Sequence, residues 1–363
     1  MTNHFSKRAP HLAAKTRPHA FKKVLSVSAV FAALTLGCSG KTLDLDAPTQ
    51  AAAAGASANS ADVVLLSRSD DPIFGQLTVD DERIYWITDA PRVQSCLKED
   101  CAHSVVTYAR DSLSSGDERH FTPSVSSGHV FWLGGDQSPT IYSCPRAGCK
   151  QAPFAIVRDP FALELTSDQD YVYWASSLDL YRCSVAGCAA TPEVVARGEG
   201  THPVFSGEDA FWISPSSSAS SARPIRRAPK DGSGTPTTVV EPTIPSNLRV
   251  FGDALYWIGD DGINTCSING CNGEPRIVAS DQVMVGLYDE TLNVDASGAY
   301  WLDTSNVVQY CPLDGCNQAT AVTPSTAQSF ALDADYVYWT DNNPDTGGFQ
   351  GLNIHRLPKP KAP

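Results

Sequence analysis

Positive charge is scarce in this chain. Lys and Arg number 27 against 40 Asp and Glu, a formal net charge of −13. Six of those cations (Lys7, Arg8, Lys15, Arg17, Lys22 and Lys23) precede residue 38, in a segment with no acidic residue. Beyond it, 27 minus 6 leaves 21 cations against 40 acids, a net of −19. That balance repels nucleic acid and anionic lipid and excludes a polyanion-binding role. The apolar run "VLSVSAVFAALTL" at 24–36 holds thirteen residues, too few to cross a bilayer. Catalytic motifs are missing as well. There is no nucleophile elbow, phosphate loop or paired-His motif, and His103, His120, His129, His202 and His355 show no ligand spacing. What is present is 42% hydrophobic content over 363 residues, enough to bury a sizeable core in one large domain or two small ones.

The first 37 residues have the parts of an export signal: a basic stretch to Lys23, the apolar run, and small residues before a cysteine. The ending "LTLGC" resembles the bacterial lipobox, which implies a cut after Gly37 and lipid on Cys38, although Thr35 stands where that motif prefers Leu. The alternative is an ordinary signal peptide with an incidental cysteine. Residues 38–61 are small and polar, the composition of a flexible tether with a root-mean-square reach of about 25 Å. The globular part is expected over 62–363.

Every tryptophan belongs to one repeated phrase. Trp86, Trp132, Trp174, Trp212, Trp257, Trp301 and Trp339 each follow Tyr or Phe, at gaps of 46, 42, 38, 45, 44 and 38. Superposing the units gives four short strands: an apolar one such as "FALEL", the aromatic "VYW", a third such as "DLYRC", and a fourth such as "EVVA". Units near 40 residues with four antiparallel strands point to an all-β propeller. Aromatics on successive positions fit a sheet covered on both faces, as blades are by their neighbours. The seventh unit, from Ser329, ends after its third strand, while "DVVLLSR" at 62–68 precedes the first unit and looks like a fourth strand. Pairing the two closes a ring of seven blades and removes an open sheet edge. Six blades plus an extra unit is the alternative.

"VYWTD" at 337–341 and "IRRAPKDGSGTPTTVV" at 225–240 resemble the YWTD-type propeller repeats of lipoprotein-receptor ectodomains and of TolB-like and other bacterial exported proteins. The resemblance covers nearly all of 62–357, and only the last unit spells YWTD in full. It implies a binding or scaffolding module, carries no catalytic residue across, and implies six blades where the unit count implies seven.

Apart from Cys38 the cysteines form five pairs: Cys96 with Cys101, Cys144 with Cys149, Cys183 with Cys188, Cys266 with Cys271, and Cys311 with Cys316. Each brackets the turn after a third strand. Unit four has Ala228 and Ser233 at the aligned places, and unit seven Leu357 and Ala362. Cysteines that appear and vanish together are most simply bonded to each other, within reach across a hairpin turn. Zinc is the rival, but it needs four converging ligands and these pairs lie on separate blades. Disulfides imply an oxidising compartment.

The Cys-bracketed turns all hold four residues, whereas loops on the opposite face vary widely, so that face is the expected recognition surface. Acid gathers there at Asp89, Asp136, Asp179, Asp260, Asp261, Asp303 and Asp341. Two readings stand: a rim that attracts a basic partner or binds calcium, and turn chemistry in which Asp bonds nearby amides. The expected function is binding of an envelope or extracellular protein by a lipid-anchored propeller that is not an enzyme and needs no cofactor. A glycan, small-ligand or calcium binder and an exported enzyme with an axial site are the alternatives.

Overall fold

The aromatic phrase is the second strand of a four-stranded antiparallel sheet in all seven units. The computed structural model describes residues 62–360 apart from 70–72, 89–91, 110–121, 127, 135–138, 160, 177–178, 189–190, 199–200, 216–221, 281–290 and 343–351. Blades 1 to 6 span Ile73–Ala109, Ser124–Arg158, Ala162–Ala196, Thr201–Val240, Ser246–Ala279 and Leu292–Ala321, each with its strands in chain order. Blade 7 takes Ser329–Leu332, Tyr336–Asn342 and Leu352–Pro358 from the C-terminal end and Val64–Ser69 as its outermost strand. Val64 pairs with Arg356 and Ser69 with Leu352. The ring thus has seven blades, and the expected closing strand at 62–68 lies at 64–69. The leader, the tether and Cys38 lie outside the described residues.

Adjacent side chains on a strand point to opposite faces, and here both faces are buried. Trp86 packs back against Tyr338 and Ile354 of blade 7, while Tyr85 packs forward against Val130, Trp132 and Cys144 of blade 2. The same division holds at every junction, giving seven apolar clusters for seven seams. The tryptophans are at most 2% exposed.

At the turn between first and second strands the seams divide into two kinds. Asp80, Asp168 and Asp333 each accept two backbone N–H groups on Oδ1. On Oδ2 each accepts the hydroxyl of the tyrosine five residues on, at 2.6, 3.0 and 2.7 Å for Tyr85, Tyr173 and Tyr338. A cation from the next blade completes each set: Arg146 at 2.9 Å, Lys230 at 3.2 Å and Lys98 at 2.6 Å. Asp295 repeats the arrangement with Lys359, and Ser297 links it to Tyr300. Blades 2, 4 and 5 put Gly128, Gly207 and Gly252 at this turn. The blades that follow them carry Val185, Ile268 and Leu313 at the cation position, packed in the clusters of Phe131, Phe211 and Tyr256.

The Cys-bracketed turn also works between blades. All five bridges form within their own hairpin, with Cα separations of 4.7 to 5.7 Å. Two of these turns accept from the outer strand of the preceding blade, Tyr108 donating to the carbonyl of Arg146 at 2.6 Å and Arg276 to that of Leu313 at 2.7 Å. The aligned turn of unit four accepts at the Lys230 carbonyl from Arg182 on the third strand of blade 3. Gly232 shows how close this approach is. Its φ is +74°, and a Cβ there would stand 2.3 Å from the Val194 carbonyl oxygen. The turns keep one length because a neighbouring strand fixes the space they fill.

Burial raises the carboxyls of Asp168 and Asp333, but the amide, lysine and tyrosine hydrogen bonds outweigh it and hold both below the ordinary value of 3.8. A carboxyl with a depressed folded pKa stabilises above its unfolded pKa and loses that contribution as pH falls through the folded one. Asp333→Asn should therefore cost about 3 kcal/mol at neutral pH, because Lys98 is left buried without its charge partner. Denaturant titrations of the variant should also show less loss of stability below pH 4 than the wild type. The double change Cys183→Ala with Cys188→Ser, which copies unit four, should cost about 2 kcal/mol or less and leave a cooperative transition. Mass mapping should return the five local pairs.

Candidate recognition face

The two loop sets leave the blades at opposite ends. Those between second and third strands range from two residues, Asp260 and Asp261, to eleven at 214–224, and the inter-blade connections reach fourteen at 110–123. Asp89 and Asp136 lie outside the described residues. The other expected acids are occupied locally. Asp179 accepts the Gly198 amide at 2.8 Å and the Tyr181 hydroxyl at 3.1 Å. Asp261 accepts Asn264 Nδ2 at 2.7 Å. Asp303 caps Ser305 and Val307 and accepts Gln309 Nε2 at 2.7 Å. Asp260 is exposed. Each of these bonds stays within its own blade or the connection leaving it, as the turn-chemistry reading expects. Among the described residues no group of three or more His, Cys, Asp or Glu side chains could hold a metal ion.

Asp341 is the exception in kind. It accepts Asn353 Nδ2 at 3.0 Å and Ser325 Oγ at 3.3 Å, and lies 3.1 Å from His355 Nε2. Burial raises this carboxyl, and the bonds from His355, Asn353 and Ser325 more than reverse the effect, so it sits below the ordinary carboxylate value. His355 stacks on Trp339, ring centroids 5.1 Å apart and planes 19° apart. A search for ligand spacing misses the pair because Asp341 and His355 meet across a hairpin. The signal that finds it is positional. The residue facing each tryptophan on the third strand is Gln94, Tyr142, Tyr181, Arg226, Asn264, Gln309 or His355, and only blade 7 has an imidazole there.

Among the described residues two large apolar side chains are displayed in connections on this face: Phe161 between blades 2 and 3, 64% exposed, and Ile244 between blades 4 and 5, 51% exposed. Phe161 stands on a braced turn. Its amide donates to Asp159 Oδ1 at 3.0 Å, and Asp159 also accepts Trp174 Nε1 and Ser176 Oγ, each at 2.9 Å. A buried indole and a strand hydroxyl therefore fix the carboxylate that presents the ring. Rigid aromatics presented in this way are what protein interfaces use as anchors.

These features define a seven-bladed β-propeller with one face committed to its own seams and one face of variable loops. No protein-family model matches the chain, and no curated protein does. Solved structures match over most of its length. YCF48 from Cyanidioschyzon merolae has 9% identity and a TM-score of 0.52, covering 82% of this chain and 98% of that one. The WD40 propeller domain of Doa1 has 11% identity and a TM-score of 0.50, covering 81% and 96%. PorZ, described as an essential bacterial surface component of the type-IX secretion system of Porphyromonas gingivalis, has 12% identity and a TM-score of 0.51, covering 83% of this chain and 40% of that one. At such identities the likeness is one of fold.

Asp159→Ala should cost about 2 to 3 kcal/mol, since it leaves the Trp174 indole N–H and the Ser176 hydroxyl without their charged acceptor. Phe161→Ala should change stability by less than about 0.5 kcal/mol. Denaturant melts of the two variants check both values.

Proposed function

We propose that this chain is an extracytoplasmic propeller, tethered through lipid on Cys38, that binds another protein of the cell envelope through its variable-loop face and acts by binding rather than catalysis. The observation that carries the reading is the division of labour between faces. One face carries the Cys-bracketed turns that press on neighbouring blades, and the other displays Phe161 and Ile244 on connections whose lengths the fold does not constrain. Support for the compartment comes from the five bridges, which need an oxidising environment, and from the export-type leader ending in "LTLGC". One structure of similar fold is described as a bacterial surface component. The YWTD-like phrases fit the same class of module.

The test has two arms. Cys38→Ala should shift the protein from the membrane to the soluble fraction and remove lipid mass from its N-terminal peptide; an unchanged distribution overturns the anchor. Pull-downs from envelope extracts should recover a partner with the wild type and with Asp81→Asn on the opposite face, but recover it at least tenfold less with Phe161→Ser and Ile244→Ser. Equal recovery by all four proteins overturns the assignment of the face.

A further inference from the structure

Buried polar atoms in folded proteins nearly always have hydrogen-bond partners, and several orphans in one place call for a molecule that the protein does not itself supply. Blade 7 has such a place on the side that faces blade 6. Trp339 pairs directly across the strands with His355, and Asp341 with Asn353. Two-residue alternation therefore sets all four side chains on one face of the sheet. Trp339 is fully buried, Asn353 is 7% exposed and the His355 side chain 14%. Among the described residues, Trp339 Nε1, both His355 ring nitrogens and Asn353 Oδ1 are buried without a hydrogen-bond partner; His355 Nε2 has the Asp341 carboxylate 3.1 Å away as its charge partner, which leaves three orphans.

The chemistry of the three orphans is defined by Asp341. Its carboxylate, 3.1 Å from His355 Nε2, draws the proton to that nitrogen and leaves Nδ1 as an acceptor. Asn353 uses Nδ2 to donate to Asp341, so its Oδ1 is also an acceptor. The open set is one donor, the indole N–H, and two acceptors. Blades 1 and 3 satisfy the same indole from within the protein, Trp86 donating to Gln94 Oε1 at 3.2 Å and Trp174 to Asp159 Oδ2 at 2.9 Å. Trp132 and Trp301 are unpartnered like Trp339 but face Tyr142 and Gln309 across the strands instead of an imidazole. Asp159 lies nine residues before the turn aspartate Asp168, and nine residues before Asp333 stands Pro324, which has no polar side chain.

We propose that the seam between blades 6 and 7 is a binding site for one buried water molecule, which accepts from Trp339 Nε1–H and donates to His355 Nδ1 and Asn353 Oδ1. Water has the two protons and the lone pair this set requires. A cation would face the indole proton, an anion would face two acceptors and the Asp341 charge, and an alcohol has one proton for two acceptors. The site lies in the paired stem of the 343–351 loop, one pair below its last rung at Asn342 and Leu352. It goes beyond the proposed function and does not depend on it.

The test is nuclear magnetic resonance on the full chain, with the Trp339 indole signal assigned by its loss in Trp339→Phe. The expected result is a cross-peak between that N–H and a long-lived water, a His355 ring protonated on Nε2 alone, and indole hydrogen exchange at least tenfold faster in Asn353→Leu or His355→Phe. An indole N–H with no water cross-peak and equally slow exchange in both variants means a dry seam and overturns the proposal. So does a cross-peak to a protein group that takes the water's place. If the variants do not fold, a high-resolution crystal structure of the wild-type chain decides. Solvent density in contact with all three atoms supports the site, and density that is absent or reaches fewer than two of them overturns it.

Discussion

The ring depends on burying two neighbouring positions in opposite directions: a tyrosine or phenylalanine that reaches forward to the next blade and a tryptophan that reaches back to the last. Four-stranded sheets with one dry face and one wet face would show polar residues at every second position of the second strand. Here "IYW", "VFW", "VYW", "AFW", "LYW" and "AYW" leave none. A blade alone would expose one of its two aromatics, so no blade can complete its core without both neighbours. The last blade meets the same constraint by drawing Val64–Ser69 from the other end of the chain.

The two faces of the disc differ because the seams make demands on only one of them. The Asp–Tyr–cation sets and the Cys-bracketed turns lie at the same end of the blades, where each turn touches the neighbouring sheet. Their length, their glycines and their charges are set by that contact. Four seams use a carboxylate, a phenol and a cation. Burial and the adjacent carboxylates push the hydroxyls of Tyr85, Tyr173 and Tyr338 up, so that they remain donors. Three seams use a glycine turn and an aliphatic side chain in the same space. Loops at the other end meet no such requirement, and they differ in length from blade to blade.

Much of this is legible in the residues, and the part that is not has a physical cause. The tryptophan spacing reveals the blades because each indole fills the same pocket seven times. The cysteines reveal their pairing because both partners lie in one unit and are lost together. The Asp–cation code escapes an alignment of units laid one above another. The cation that answers Asp80 is Arg146, in the following unit, and the residue that answers Gly128 is Val185. The correlation appears only when each column is read against the next blade's. The acidic rim allows two readings in sequence, and at Asp179, Asp261 and Asp303 the side chains serve their own turns. His355 lacks any sequence spacing to Asp341 because the loop between their strands, not the chemistry, sets that distance.

Blade 7 combines these features. It is the blade assembled from both ends of the propeller, it takes part in two of the polar seams, through Asp333 to Lys98 and Asp295 to Lys359, and its second and third strands carry a part-buried histidine and aspartate. A closing blade made only of apolar contacts could shift register along the ring, since apolar burial is non-directional. Hydrogen-bonded and charged partners tolerate far less displacement, because a slip of one residue would strand a buried charge. Concentrating directional contacts where the first and last strands of the propeller meet therefore gives the ring a unique closure.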